Sequence, residues 1–380
     1  MKYIDEFRDP DLARTLVAQI QREAARRDAA LRESERPIRL MEFCGGHTHA
    51  IFRFGLRELL AGAVDLRSGP GCPVCVTAAA DLDRAIAMAE IPDVILTTFG
   101  DMVRVPGRQG TLQDARARGA DVRIVYSPLD AVNIARQNSQ REVIFLGVGF
   151  ETTAPGIAAA VIQAQESGLT NFNVLSLHKL TPPAMRAILD AGEVALDGII
   201  GPGHVSAVIG SEAWNFLPQT YAMPCAVAGF EPLDLLSAIA ALVHAAVTDT
   251  PTVVNSYGRS VRPGGNPIAQ AMMTRVFEIG PAMWRGFGEI PASGLTLRET
   301  FAPFDAARRF PIEIEPEEKP TACRCDEVLR GLIAPTDCAL FRRVCTPRNP
   351  VGPCMVSAEG ACAAYFKYED GSFGFCRTRP

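Results

Sequence analysis

The chain has 380 residues, 48% of them apolar and 21% charged, the proportions of a globular protein with more than one core. A net charge of −5 gives no electrostatic reason to expect nucleic acid or an anionic membrane surface as partner. The longest uncharged apolar run, LLSAIAALVHAAVT from Leu235, falls well short of the ~20 residues a membrane span needs, and the acidic start MKYIDEFRDPD has no signal-peptide core, so the expected compartment is the cytoplasm. Residues 1–35 read as a helix: Asp9-Pro10-Asp11 supplies the start, and LARTLVAQIQREAARR carries apolar positions at helical spacing. After Pro37, short apolar runs alternate with helical segments, the pattern of β/α units. The expected strands are 38–43, 63–68, 93–99, 122–127, 143–149, 172–177 and 197–201. Several are apolar throughout, as parallel strands covered on both faces must be.

Two pairs of junctions echo each other. LMEFCGGHTHA resembles LGVGFETTA, and VDLRSGPGCP resembles DGIIGPGHVS, which suggests two related α/β lobes at 36–121 and 122–225. A helical and irregular connecting region, 226–322, then leads to a small cysteine-rich module at 323–380. Ligand sites of open α/β sheets lie off the carboxyl ends of strands, so these loops are expected to share one cleft.

Eleven cysteines are many for a reducing compartment, where organised thiols are more often metal ligands or redox groups than staples. In EFCGGHTHA, Cys44 follows a strand in a glycine turn, and His47 and His49 are placed to bind metal or hydrogen-bond the site. In GPGCPVC, Cys72 and Cys75 sit at a helix start, where the dipole favours thiolate. A closed zinc site using both with two of Cys44, His47 and His49 is one reading; an open, thiolate-lined cleft is the other. Asp101 and Arg104 in TTFGDMVRVPG, Glu151 in GFETTAP and His204 in GPGHVS are candidates to orient ligands or move protons there. Cys225, in an apolar run, reads as a buried core thiol. In the tail, Cys323, Cys325, Cys338, Cys345, Cys354 and Cys362 would serve either zinc or a 4Fe–4S cluster, each needing four thiolates, and Cys376 reads as incidental.

Taken together, EFCGGHTH, GPGCPVCVT, TTFGDMVRVPG, VGFETTAP, GPGHVS and CTPRNPVGPCMVSAEGACAAY resemble the HypD family of nickel–iron hydrogenase maturation factors, in order from Met41 to Tyr368. The resemblance implies two Rossmann-like α/β domains with a small C-terminal iron–sulfur module. It implies a scaffold for the Fe(CN)2CO unit of the hydrogenase, working with a HypC-type chaperone and a HypE-type cyanide donor, and redox-active rather than a conventional turnover enzyme. Carried over by motif, Cys44, Cys72 and Cys75 are the cleft thiols that hold iron bearing CN and CO. Cys323, Cys338, Cys345 and Cys362, at C-x14-C-x6-C-x16-C, are the cluster ligands, and Cys325 with Cys354 is a redox pair. An iron–sulfur disulfide reductase and a structural zinc platform are the alternatives.

Overall fold

The computed structural model describes residues 5–30, 36–314 and 322–369. The seven expected strands all form and are parallel: β1 (Ile38–Glu42), β2 (Val64–Ser68), β3 (Val94–Thr98), β4 (Asp121–Ile124), β5 (Glu142–Gly147), β6 (Phe172–Ser176) and β7 (Gly198–Pro202). Two further parallel strands, β8 (Cys225–Ala228) and β9 (Val253–Asn255), were not among those expected. The apolar runs explain the burial: every residue of β3, β7 and β8 is inaccessible, as strands sandwiched between helices require. Each fully buried Leu or Ile side chain contributes roughly 1.5–3 kcal/mol.

The strands divide into a five-stranded sheet ordered β2-β1-β7-β8-β9 and a four-stranded sheet ordered β4-β3-β5-β6. This overturns the 36–121 and 122–225 lobes. The chain lays down β1 and β2, leaves to build the whole of the second sheet, and returns with β7 beside β1. Periodicity reports that a strand is buried on both faces, but not which strand it pairs with. The fold class nevertheless stands: α/β, with parallel sheets consistent with Rossmann-like domains.

The described part of the connecting region, 226–314, is more ordered than expected. Helix Pro232–Thr248 packs against the N-terminal helix Pro10–Ala30. An antiparallel hairpin follows, β10 (Phe277–Trp284) with β11 (Gly288–Leu297), interrupted by a bulge near Gly280. Its Trp284 is buried, donates to Ser293 at 2.8 Å and bridges to Thr77, just past the CPVC segment. Asp197, at the mouth of β7, anchors the start of the chain by accepting from Arg27 and Arg36, each at 2.6 Å.

The order of each sheet reverses at one place: between β1 and β7 in the first, between β3 and β5 in the second. In open α/β sheets, ligands bind at such switch points, off the carboxyl ends of the strands. The loops bearing Cys44 and His204 leave the first, and those bearing Asp101 and Glu151 leave the second.

Candidate functional site

Cys44 caps the helix Gly45–Arg53 with an extended backbone, and its carbonyl accepts from the His47 N–H at 2.8 Å. Its own N–H donates to Glu42 at 2.7 Å, and the same carboxyl accepts from the Thr48 hydroxyl. Glu42 is 2% exposed, and burial pushes its carboxyl up to about 7. The Cys44 thiol is pushed up to about 12, by burial first and then by Glu42 and Glu359. The Gly-Pro-Gly turn after β2 lies directly on this backbone: Gly45 N–H donates to the Gly71 carbonyl at 3.0 Å. A Cβ at Gly71 would stand 2.3 Å from the Cys44 nitrogen, so only glycine fits.

His47 is fully buried, with Nε2 3.1 Å from the Ala228 carbonyl. A carbonyl only accepts, so Nε2 carries the hydrogen and Nδ1 keeps a lone pair, which is buried without a partner. Burial pulls this imidazole down to about 4. Phe230 is sandwiched between His47 and His204, with ring centroids 4.7 and 4.0 Å away. A Cβ on Gly46 would lie 2.9 Å from that ring and 3.6 Å from the Cys44 sulfur, so the two histidines, Phe230 and the thiol share one neighbourhood.

The other expected residues divide. His49 turns outward to the tail, its Nε2 2.9 Å from the Tyr368 hydroxyl. Asp101 accepts from Ser357 at 3.0 Å and lies near Glu359, whose carboxyl is raised by burial and by that charge. A Cβ on Gly45 would lie 2.2 Å from the Glu359 carbonyl, so the tail forms a wall of the Cys44 site. Arg104 only donates to the Pro347 carbonyl at the surface. Glu151 accepts from the N–H and hydroxyl of Thr181 at 2.8 and 2.9 Å, and faces a separate cavity. Cys225 is a fully buried core thiol on β8, as expected.

Cys72 and Cys75 form a disulfide. As they stand, neither is a thiolate, so neither a zinc site nor iron ligation by this pair exists before it is reduced. Their short helix Pro73–Val76 packs against Pro353–Val356, which carries Cys354. Arg285 fastens the far side, its backbone N–H donating to Val76 at 2.8 Å and its Nε to Thr77 at 3.0 Å.

In the tail, Cys323, Cys325, Cys338, Cys345 and Cys362 line one small cavity. The Cys323 and Cys325 sulfurs are 3.2 Å apart, and a Cβ on Gly352 would strike both. Cys354 stands outside the cavity lining, its thiol hydrogen-bonded to Cys325 and Cys362. Hydrogen bonds with Cys325 first and then Cys354 pull the Cys362 thiol below its ordinary range. Five thiols around one cavity fit a four-thiolate group in kind and number. Cys376 lies outside the described residues. Among the described residues, no three Cys, His, Asp or Glu side chains are arranged to hold a metal ion as they stand.

Glu42, Ser357 and Glu359 lie inside the sequence motifs, but nothing in the sequence assigns them roles. Phe230 and Arg285 were missed, since they lie far along the chain from the cysteines they flank.

A family profile, HypD, described as "Hydrogenase formation hypA family", matches residues 11–369. The chain is 51% identical over 376 residues to a hydrogenase maturation factor HypD of Azotobacter vinelandii, covering 97% of each chain. It is 47% identical over 376 residues to a factor of the same name from Cupriavidus necator, again with 97% of each covered. Against the Escherichia coli factor HypD it is 44% identical over 370 residues, 97% of this chain and 98% of that one.

Proposed function

This chain belongs to the HypD family of hydrogenase maturation factors, and from that premise we propose that it is the scaffold on which the Fe(CN)2CO unit of a nickel–iron hydrogenase is assembled. It works in the cytoplasm with a HypC-type chaperone and a HypE-type cyanide donor. One observation carries the reading: three sulfur groups lie beside the first switch point, Cys44 in backbone contact with the Gly-Pro-Gly turn, the Cys72–Cys75 disulfide next along that turn, and the helix carrying Cys354 packed on the helix of the disulfide.

The iron unit is cargo, and Cys44 is its first ligand. A thiol crowded by two carboxyls gives up its proton most readily when a cation takes the proton's place. Reducing the disulfide consumes two electrons and two protons and frees Cys72 and Cys75, either of which then serves as second ligand. The bare Nδ1 of His47 accepts a hydrogen bond from a water or a protonated ligand entering beside Phe230. His204 covers the opposite face of that ring, and on the tail side Asp101 lies beside Glu359, whose raised carboxyl can hold a proton.

Cys323, Cys338, Cys345 and Cys362 would hold a 4Fe–4S cluster, whose contribution is one-electron transfer. Cys325 and Cys354, already hydrogen-bonded to each other, are placed to pair between that cavity and the CPVC turn. The Cys72–Cys75 disulfide also favours a second reading, in which the chain is a disulfide reductase acting on a partner.

Infrared spectroscopy of the anaerobically purified chain, with metal analysis, decides between them. Cyanide and carbonyl stretching bands are expected. Iron without those bands favours the reductase, and zinc without iron overturns both.

A further inference from the structure

Glu151 belongs to the GFETTAP loop, yet it forms no part of the sulfur site. Its carboxyl lines a cavity of about 560 Å3 between the segment Leu180–Pro183, the β10–β11 hairpin and the helix Pro267–Val276. That size is ordinary for a small-molecule site. Leu180, Ile209, Phe277 and Leu295 make its walls apolar. Glu151 is 2% exposed and accepts from Thr181 at each carboxyl oxygen and from its own N–H, which leaves one of the four acceptor positions of a carboxylate for a ligand. Glu278 lies at the exposed rim, and the guanidinium in the lining, that of Arg298, donates its Nε–H to the Thr274 carbonyl at 2.7 Å.

The backbone of the wall is also unusual. Ala292 has φ of +51°, a left-handed conformation that a residue with a Cβ rarely adopts. It is enforced next door, where buried Ser293 donates to the Ile290 carbonyl at 2.6 Å and accepts from Trp284. The strained turn presents Ala292 to the cavity.

We propose that this cavity binds an apolar ligand with a hydrogen-bond-donating cationic head, of the alkylammonium class, its head on Glu151 and its chain between Leu180, Phe277 and Leu295. An anionic head would meet the Glu151 carboxylate, and above about pH 7, where that group is ionised, a neutral alcohol would leave its charge uncompensated. The site goes beyond the assembly role and does not depend on it.

Calorimetric titration of the full chain with n-hexylammonium, hexanol and hexanoate tests the site. Hexylammonium is expected to bind saturably and about tenfold or more tighter than hexanoate. Glu151→Gln, which keeps an acceptor for Thr181, should erase that preference while apolar binding persists. Ala213→Phe should fill the cavity and abolish binding. Ile279 is 65% exposed at the cavity mouth, so Ile279→Lys folds normally and should weaken hexylammonium selectively. Absence of saturable binding by the wild-type chain, a charge preference that survives in Glu151→Gln, or indifference to Ile279→Lys overturns the proposal.

Discussion

At the switch point of the five-stranded sheet, Cys44 follows β1, the Gly-Pro-Gly turn of β2 lies against it, and His204 follows β7. At the switch point of the four-stranded sheet, Asp101 turns to Ser357 of the tail, while Glu151 turns to Thr181 and an apolar cavity. Both sheets offer the same topological ledge. What separates them is the neighbour supplied from elsewhere in the chain: the cysteine-rich tail closes over the first, and the β10–β11 hairpin lines the cavity at the second. Topology therefore places loops in candidate positions, and the partner packed on each loop decides its chemistry.

The contrast predicts its largest effect at the first ledge. Cys44→Ser should lower matured hydrogenase activity in a complemented strain by about 100-fold or more, since it replaces the thiol itself and outer partners alone account for 10–100-fold. Unchanged maturation would remove Cys44 from the site.

At the second ledge the expected signature is in stability. Burial raises the Glu151 carboxyl from 4.5 to about 7, so the folded state holds its proton more tightly than the unfolded chain. Its contribution is fully present below about 4.5 and is lost as pH rises to about 7, at most about 3 kcal/mol. Urea unfolding at pH 5 and pH 7.5 should show this loss in the wild type and a smaller one in Glu151→Gln. Equal losses would mean that the carboxyl is not desolvated.

A third test concerns the closure of the first ledge by the tail. Gly352→Ala places a methyl 2.4 and 2.6 Å from the Cys323 and Cys325 sulfurs. The overpacking should cost about 1–3 kcal/mol in thermal unfolding and reduce iron content. The smallest effect is expected at Arg104→Ala, which loses one exposed hydrogen bond to Pro347 and should shift stability by less than about 0.5 kcal/mol.

Much of this was legible in the sequence. The seven strands announced themselves as apolar runs, and the glycine turns marked where loops pack without room for a Cβ, as Gly71 does on Cys44. Strand pairing was not legible: β7 joins β1 across a whole inserted sheet, and nothing local in GIIGP encodes that return. For the same reason Glu151 and Asp101 looked like members of one site, because strand-end loops look alike until their distant neighbours are known. β8 and β9 passed unrecognised because they are only four and three residues long, and the Gly/Pro-rich hairpin because its turn residues read as irregular. For Cys72 and Cys75 the sequence leaves metal and disulfide both open, since CxxC spacing suits the two equally.

The central claim is that Cys44 holds the iron cargo while the tail thiols hold a separate cluster. Infrared spectra and iron counts of anaerobically purified Cys44→Ser and Cys362→Ser test it most directly. The account predicts that Cys44→Ser loses the cyanide and carbonyl bands yet keeps the iron of the tail, whereas Cys362→Ser loses that tail iron. Bands that persist in Cys44→Ser, or tail iron that disappears with them, would contradict it.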